Sequence, residues 1–393
     1  MTKRPARCLR FREFLKKFGV FAALAAFFLW CAPARAKGAS SAKRRVTVRK
    51  VAARHVVHHY YHRRYRRPWL STYVADPGRG DDAQFDDPVV RQAALEALGQ
   101  QNGTVVAVDP SNGRILSIVN QKLAYSAGFE PCSTLKPVIA IAALENHIIT
   151  PDTMIRVSPR RYMNLTEALA HSNNEFFQTL GARLGFQTVW HYDHLFGLGQ
   201  RAGLGIGEEQ PGVLPAAPPH WGGVERMCSF GEGIRMTPLQ LASIVATIAN
   251  GGTEYYLQYP QTEEAVRDFQ PRVRRTLAIA PLLPDLRRGM LAAVLYGTAR
   301  QSNDPDGAQA LGKTGTCDDP TMGGRLGWFA SYAGESNPKI VLVVLLRGLA
   351  RIVNGPHAAD VAGKIYRQLD QQNYFVSAPA ASGTSTAANS SER

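Results

Sequence analysis

Apolar positions recur at two different periods along the chain, and the two periods separate predicted helices from predicted strands. The segment DPVVRQAALEALGQQ has the helical period, whereas TVVAVDP and RILSIVN flank the turn Ser111-Asn112-Gly113 and predict a β-hairpin. From Ser133 to about Arg300 the pattern is mainly helical, as in NLTEALAHSNNEFFQTLGARLG and TPLQLASIVATIANGG, each closed by glycine. Three strand candidates follow, around KTGT, LGWFASYAG and KIVLVVLLRG, before a last helix, HAADVAGKIYRQLD.

This order of elements predicts the fold class. Strands at both ends with helices inserted between them indicate one α/β domain of the α+β type, with an antiparallel sheet of about five strands and a large helical insertion. We expect this domain to span residues 88–375. The low-complexity tail, residues 376–393, has too few apolar residues to pack, and we predict that it is disordered.

Residues 1–36 have the pattern of an export signal. A basic start that includes Lys3, Arg4 and Arg7 precedes FGVFAALAAFFLWCA, and Ala34-Arg35-Ala36 places small residues at a cleavage site. The apolar stretch is shorter than the roughly 20 residues that a membrane-spanning helix prefers. We therefore expect an exported protein of the periplasm or cell envelope. An uncleaved signal, which would anchor the protein in the membrane, remains the alternative.

The positive charge is concentrated near the start of the chain. Of the formal net charge of +15, residues 1–36 account for eight Lys or Arg and one Glu, and residues 37–67 add eleven Lys or Arg and no acid, which leaves −3 for the remainder. A nucleic-acid enzyme normally carries its basic patch on the folded domain, so we expect no nucleic-acid partner. The segment 37–87 is predicted to be basic and flexible. Its basic part, residues 37–67, would meet anionic envelope polymers or a membrane surface, or would be a solvated linker.

Four histidines in this basic segment have helical spacing but do not predict a metal site. No cysteine or carboxylate lies near His55, His58, His59 and His62 to complete a ligand set. We expect neither a metal nor an organic cofactor.

A serine and a lysine three residues apart open a strongly apolar run in GFEPCSTLKPVIAIAALE. Residues i and i+3 share one face of a helix, so Ser133 and Lys136 are predicted to lie within hydrogen-bonding range, as a nucleophile beside its base. The same spacing recurs at Ser40/Lys43 and Ser336/Lys339 without an apolar helix behind it, and Ser133 could simply cap a helix. The pair alone does not establish chemistry.

Two further polar motifs change this assessment. The only S-x-N of the chain is Ser172-Asn173-Asn174, before a predicted helix, and the only K-T-G is Lys313-Thr314-Gly315, in a predicted strand. Either motif alone fits a helix cap or a short edge strand. The order S-x-x-K, S-x-N, K-T-G is the set found in penicillin-binding proteins and serine β-lactamases.

From about Asn102 to Leu369 the chain resembles the transpeptidase domain of penicillin-binding proteins. TVVAVDPSNGRILSIV is similar to the opening hairpin of that family, EPCSTLKP to its nucleophile segment and SFGEGIRMTPLQLASIVATIANGG to its central helix. Gly297-Thr298-Ala299 and LGWFASYAGESNPKIVLVVLLRG also match in order. Larger members carry another domain before this one, and residues 37–87 are too few and too basic to form it, so we expect a nearly free-standing catalytic domain.

The resemblance assigns the chemical steps. Ser133 would attack the carbonyl of a D-alanyl-D-alanine stem peptide of peptidoglycan and form an acyl-enzyme, with Lys136 as its base. The backbone N–H groups of Ser133 and Thr316 would form the oxyanion hole. Ser172 would relay a proton to the departing D-alanine. The reaction class is a serine DD-transpeptidase or DD-carboxypeptidase, and β-lactam antibiotics would acylate the same serine.

The resemblance also assigns substrate contacts. Asn174 would hydrogen-bond an amide of the substrate, and Lys313, Thr314 and Thr316 would bind its terminal carboxylate. Gly315 lacks a side chain, so the substrate backbone could lie along the strand edge as an added strand.

Two alternatives remain open. A serine β-lactamase shares the three motifs but needs a carboxylate that activates water, and only Glu208, Glu209 and Glu225 are candidates after the S-x-N. A non-catalytic penicillin-recognising sensor or wall-binding scaffold would keep the fold, although the retention of every catalytic position argues against it.

The resemblance also has a consequence for the pairing of the cysteines. Cys8 and Cys31 belong to the export signal, which leaves Cys132, Cys228 and Cys317. Cys132, where the family commonly has glycine, precedes the nucleophile, and Cys317 follows the second oxyanion-hole residue. One oxyanion can contact both N–H groups only if the two segments are adjacent, so we predict a Cys132–Cys317 disulfide and a free Cys228. Some carbapenem-hydrolysing serine β-lactamases look similar here.

Overall fold

The computed structural model describes residues 70–319, 321–334 and 337–375. The predicted export signal, the basic residues 37–67 with their histidines and the tail after residue 375 lie outside the described residues. Within the described ranges, no helix combines the length and the apolar character needed to cross a membrane.

The described residues form ten α-helices and nine strands. The helices are α1 (Pro88–Leu98), α2 (Gln121–Ala124), α3 (Lys136–Glu145), α4 (Leu165–Ala170), α5 (Asn174–Leu195), α6 (Gly223–Phe230), α7 (Pro238–Ala249), α8 (Glu263–Arg267), α9 (Leu283–Leu295) and α10 (Gly355–Gln371). The strands are β1 (Gly103–Val108), β2 (Ile115–Val119), β3 (Ile155–Ser158), β4 (Arg161–Met163), β5 (Thr253–Tyr255), β6 (Val273–Thr276), β7 (Ala310–Asp318), β8 (Arg325–Ala333) and β9 (Ile340–Gly348).

Five strands form the central sheet in the order β2-β1-β9-β8-β7, and every neighbouring pair is antiparallel. The predicted fold class is therefore confirmed. The predicted hairpin is β1 with β2, which places Val105 opposite Val119. Strand β7, which carries the K-T-G motif, pairs with β8 and forms one edge of the sheet.

Helices cover both faces of this sheet. On one face α1 and α10 pack against residues such as Val105, Phe329 and Val344, and on the other the helical insertion packs against Val106, Trp328 and Val343. Because both faces are covered, β1 and β9 are apolar at almost every position instead of alternating.

Two helices of the insertion place the site beneath the sheet edge. In α3 every residue except the last, Glu145, is buried, and α7 is buried along its whole length behind a capping box made by Thr237 and Gln240. The predicted helix end at Gly185 is only partly correct. Gly185 has a positive φ of 75° and interrupts α5, but helical residues resume beyond it to Leu195.

Residues before α1 pack against the domain. Leu70 is buried, Tyr73 forms a bridge with Gln101, and the Asp81 carboxylate contacts the Arg91 guanidinium at 2.9 Å. Apolar burial and an ion pair thus join residues of the segment 70–87, which was predicted to be flexible, to the domain that was predicted to begin at residue 88.

Candidate active site

The predicted nucleophile lies in a short 3-10 helix, Cys132–Leu135, which runs directly into α3. Residues i and i+3 of a 3-10 helix eclipse one another, so Ser133 and Lys136 share one side of this turn. The N-cap of α3 is Leu135, and the buried Ser133 hydroxyl donates to the carbonyl of Ser229 at 3.4 Å. Ser133 therefore does not cap a helix.

The Lys136 amine contacts the S-x-N motif. Its Nζ donates to the Ser172 carbonyl at 2.7 Å, to Asn174 Oδ1 at 2.8 Å and to Ser172 Oγ at 3.3 Å. In the described residues no hydrogen bond joins Ser133 to Lys136, contrary to the prediction. The reason is that Lys136 is fully buried, and three polar atoms on one turn surround its amine.

The second lysine meets the same serine from the other side. Lys313 Nζ donates to Ser172 Oγ at 2.7 Å and to the Thr314 carbonyl at 2.9 Å, and Lys313 is also buried. Ser172 has a positive φ of 53°, an unusual conformation for a residue other than glycine. The hydroxyl of Ser172 thus joins the S-x-x-K and K-T-G motifs.

Burial changes the acidity of both amines. Burial, with a smaller contribution from Lys313, lowers the pKa of Lys136 well below its ordinary value. Burial also lowers the pKa of Lys313 to about 7. No acid forms an ion pair with either lysine in the described part of the chain, and the charge of Glu175 offsets the lowering of the Lys136 pKa only in part. A neutral amine at Lys136 can accept a proton near neutral pH.

The K-T-G strand presents alternate residues to two environments. Lys313 points to Ser172, whereas Thr314 Oγ1 contacts Thr298 Oγ1 at 2.6 Å and Thr316 Oγ1 accepts from the Gly355 N–H at 2.7 Å. The two threonine hydroxyls therefore share a face of β7.

Gly315 allows β7 to pack closely against the nucleophile segment. A Cβ at this position would lie 3.0 Å from the Pro131 carbonyl oxygen, 3.0 Å from Thr134 Cγ2 and 3.2 Å from Cys132 Cβ. The direction in which the missing side chain would point is therefore filled by the protein itself. This packing favours glycine, in addition to the predicted approach of substrate.

Cys132 and Cys317 form a disulfide with their Cα atoms 5.6 Å apart, and Cys228 is free and buried. These are the predicted partners. Because the cysteines adjoin Ser133 and Thr316, the two segments predicted to share an oxyanion hole lie side by side. Cys132 has a positive φ of 53°, which explains why glycine suits this position in similar sequences.

Sequence reasoning missed the residues that hold the nucleophile segment. The buried Trp328 Nε1 donates to the Glu130 carbonyl at 3.0 Å, three residues before Ser133. Burial, helped by the neighbouring Glu232, raises the pKa of the Glu130 carboxyl to about 7. The sequence signal for Glu130 was its position three residues before Ser133, where the S-x-x-K motif begins. Glu130 also lines a cavity of about 200 Å³ with Phe129, Gly233, Ile234, Arg235, Asp319 and Thr321.

The three glutamates considered for water activation are not joined to the lysines and serines of the site. Glu209 is buried and accepts from the Ala202 and Gly203 N–H groups, which gives it a structural role. In the described ranges, no hydrogen bond or ion pair connects Glu208, Glu209 or Glu225 to a catalytic candidate. Those ranges also contain no group of three or more His, Cys, Asp or Glu residues that could hold a metal ion.

Comparison with known proteins agrees with this geometry. A family model described as the penicillin binding protein transpeptidase domain matches residues 103–369. The chain is 26% identical over 336 residues to penicillin-binding protein PbpB of Mycolicibacterium smegmatis, covering 72% of this chain and 51% of that protein. It is 27% identical over 322 residues to stage V sporulation protein D of Bacillus subtilis, covering 69% and 50%.

A third relative is peptidoglycan D,D-transpeptidase FtsI of Escherichia coli K12, which is 26% identical over 303 residues, covering 67% of this chain and 48% of that protein. The chain spans about half the length of the curated relatives it matches.

Proposed function

The chain belongs to the penicillin-binding protein transpeptidase family, and we propose that it is a serine acyltransferase that acts on the D-Ala-D-Ala end of peptidoglycan stem peptides. The observation that carries this proposal is the meeting of Lys136 and Lys313 at Ser172, because it brings all three motifs into one buried hydrogen-bond network. β-Lactam antibiotics would acylate the proposed nucleophile, Ser133.

The lowered pKa values of the two lysines favour acylation. Neutral Lys136 accepts the proton of Ser133 as Oγ attacks the carbonyl carbon of the penultimate D-alanine, and the amide bond to the last D-alanine breaks. For this step the Ser133 hydroxyl leaves the Ser229 carbonyl and donates to Lys136 instead. Ser172, hydrogen-bonded to both lysines, returns the proton to the departing amine.

The remaining residues bind and stabilise the substrate. The N–H groups of Ser133 and Thr316 hold the oxyanion, and the disulfide beside them fixes their separation. Lys313 and the hydroxyls of Thr314 and Thr316 bind the terminal carboxylate, and Asn174 binds a substrate amide. The acyl group then passes to an amine, which is transpeptidation, or to water, which is carboxypeptidation.

Labelling with a fluorescent penicillin tests the assignment of the nucleophile. We expect one covalent label, located on Ser133 by peptide mapping and absent from Ser133→Ala. Lys136→Ala should slow acylation about 10² to 10⁴-fold, the usual contribution of a general base. The matched control is Lys339→Ala, which alters the lysine of a second S-x-x-K pattern. Normal labelling of Ser133→Ala would disprove the nucleophile.

One observation favours a second candidate, a serine β-lactamase. The Cys132–Cys317 disulfide is similar to a cysteine pair that flanks the same motifs in some carbapenem-hydrolysing serine β-lactamases. The lifetime of the label distinguishes the two activities. Since none of Glu208, Glu209 and Glu225 contacts the site residues, we expect the penicilloyl-enzyme to persist for minutes or longer, and rapid turnover would instead identify a β-lactamase.

The proposed location is the cell envelope, where peptidoglycan is made. Residues 1–36 would direct export, residues 37–67 would bind anionic wall polymer or membrane lipid, and residues 88–375 would carry catalysis. Sedimentation with isolated walls and with anionic vesicles tests the basic segment. Binding should weaken with salt and disappear when residues 37–67 are deleted. If the truncated protein sediments as well as the full chain, residues 37–67 are only a linker.

A further inference from the structure

Three side chains form a polar and aromatic cluster on the surface next to Ser172. The Tyr296 hydroxyl donates to Glu167 Oε1 at 2.7 Å, His171 Nε2 lies 3.4 Å from Glu167 Oε2, and the His171 and Tyr296 ring centroids are 6.0 Å apart. The side chains of His171 and Glu167 are 39% and 42% exposed, and Tyr296 is 49% exposed. We call Glu167, His171 and Tyr296 the lip cluster.

Backbone contacts fix the lip cluster at the edge of the site. His171 directly precedes Ser172, and the Thr298 N–H, two residues after Tyr296, donates to the Ala170 carbonyl at 3.0 Å. Thr298 Oγ1 in turn contacts Thr314 Oγ1 of the K-T-G motif. The turn before α5, the turn after α9 and strand β7 are therefore tied together, with the lip cluster on the outside of that junction.

The lip cluster supplies negative charge to an approaching ligand. The two lysines beneath it are buried, whereas Glu167 is half exposed and Glu175, in the first turn of α5, is exposed. A carboxylate offers about four lone-pair sites, so Glu167 can accept from a ligand besides Tyr296. The half-exposed ring of Tyr296 beside the half-exposed carboxylate of Glu167, whose remaining lone pairs face solvent, suits a primary ammonium group, through a charge-assisted hydrogen bond and a cation–π contact.

We propose that the lip cluster binds the amine of the second substrate, the acceptor peptide that receives the acyl group. The inference rests on the proposed function. Transfer to an amine is the reverse of acylation with a different amine, so the acceptor nitrogen must reach the position that the departing amine occupied, at Ser172. An acceptor that enters beside Ser172 passes Glu167, His171 and Tyr296.

The transfer step exchanges one bond at the acyl carbon and moves two protons. The acceptor ammonium rests against Glu167 and gives one proton to water, and the neutral nitrogen attacks the acyl carbonyl carbon. A C–N bond forms and the ester bond from that carbon to Ser133 Oγ breaks. The second proton of the nitrogen passes through Ser172 Oγ to Ser133 Oγ, which restores the hydroxyl.

The test measures how the acyl-enzyme divides between acceptors. The full chain is given a D-alanyl thioester donor, whose thiol release reports acylation, together with either N-acetylethylenediamine, which carries an ammonium group, or methanol, which is neutral. Glu167→Gln keeps an oxygen for the Tyr296 hydroxyl but loses the charge. We expect the ratio of aminolysis to hydrolysis to fall about threefold to fivefold, as expected for one exposed ion pair, while thiol release and methanolysis remain unchanged.

Two further variants separate binding from packing. Tyr296→Phe removes the hydroxyl that bridges the end of α9 to α4 but keeps the ring, so thermal stability should fall, and a loss of aminolysis equal to that of Glu167→Gln would assign the effect to packing and overturn the role of the charge. Glu264→Gln, an exposed glutamate of α8, should change neither quantity. An unchanged aminolysis ratio in Glu167→Gln, or an equal loss of methanolysis, would overturn the lip cluster as an amine site. Absence of thiol release from the wild type would overturn the proposed function itself.

Discussion

Removing the Cys132–Cys317 disulfide should destabilise the domain by an amount that depends on the residue left at position 132. The bond closes a loop with a sequence separation of 185 residues. In the chain-entropy model a loop of this length contributes about 5 kcal/mol to the free energy of unfolding, an upper value because native strain is neglected. A non-glycine residue at the positive φ of position 132 opposes this by roughly 1–2 kcal/mol.

Two double variants separate these effects. Cys132→Ser with Cys317→Ser loses the bond and keeps the unfavourable φ, whereas Cys132→Gly with Cys317→Ser loses the bond and relieves the φ. We expect the glycine pair to be the more stable by about 1 kcal/mol, after allowance for the greater freedom of glycine in the unfolded chain. Both pairs should be clearly less stable than the wild type.

The assay is guanidinium unfolding followed by fluorescence, with and without a reducing agent. Reduction should lower the stability of the wild type toward that of the serine pair and should not affect either double variant, which provides the control. Equal stability of the glycine and serine pairs would refute the argument from φ at position 132. A wild type that is insensitive to complete reduction would refute the contribution of the bond.

Three further predictions concern buried polar groups. Lys313→Met keeps the site dry but removes the charge that helps lower the pKa of Lys136, so the acid limb of the rate of acylation by penicillin should move to higher pH. Asp193 is fully buried, its oxygens lack partners in the described structure, and burial raises its pKa well above the ordinary 3.8. The contribution of Asp193 to stability is thus greatest below about pH 4 and is lost as the pH rises toward the raised pKa. Asp193→Asn should therefore gain stability relative to the wild type as the pH rises, which a series of unfolding curves at different pH values would measure. Trp328→Phe loses the donor to the Glu130 carbonyl and should cost about 1–3 kcal/mol of unfolding free energy, measured by denaturation, and should slow acylation.

The sheet could be predicted from sequence because each strand carries its own signal. Asn112-Gly113 marks the hairpin of β1 and β2, and the unbroken apolar run of β9 marks a strand covered on both faces. The pattern of apolar and polar residues predicts a helix or strand correctly where each face of that element keeps one environment along its whole length. It was misleading at Gly185, where a glycine in a positive φ interrupts α5 without ending the helical stretch.

The details of the site depend on contacts between distant segments, which one sequence does not encode locally. Spacing predicted that Lys136 would face Ser133, but 36 residues later Ser172 supplies better acceptors for a buried amine. Likewise, Thr298 could be aligned with a family motif, but its contact with Thr314 depends on how α9 meets β7. The residues of the three motifs were identifiable because their types and order are specific, whereas their partners follow from packing.

The free edge of β7 has a consequence for how an exported nucleophile avoids attacking other proteins. Among the described strands, β7 pairs with β8 on one side only, so the main-chain groups of its other edge are not paired with another strand. A folded protein already pairs most of its strands internally, so few of its segments are extended and free to align with such an edge. The short unpaired peptides of a growing cell wall are free to do so. Under the proposed function, this geometry would exclude folded neighbours without a lid over Ser133, and selectivity would come from backbone order in the substrate as well as from its side chains.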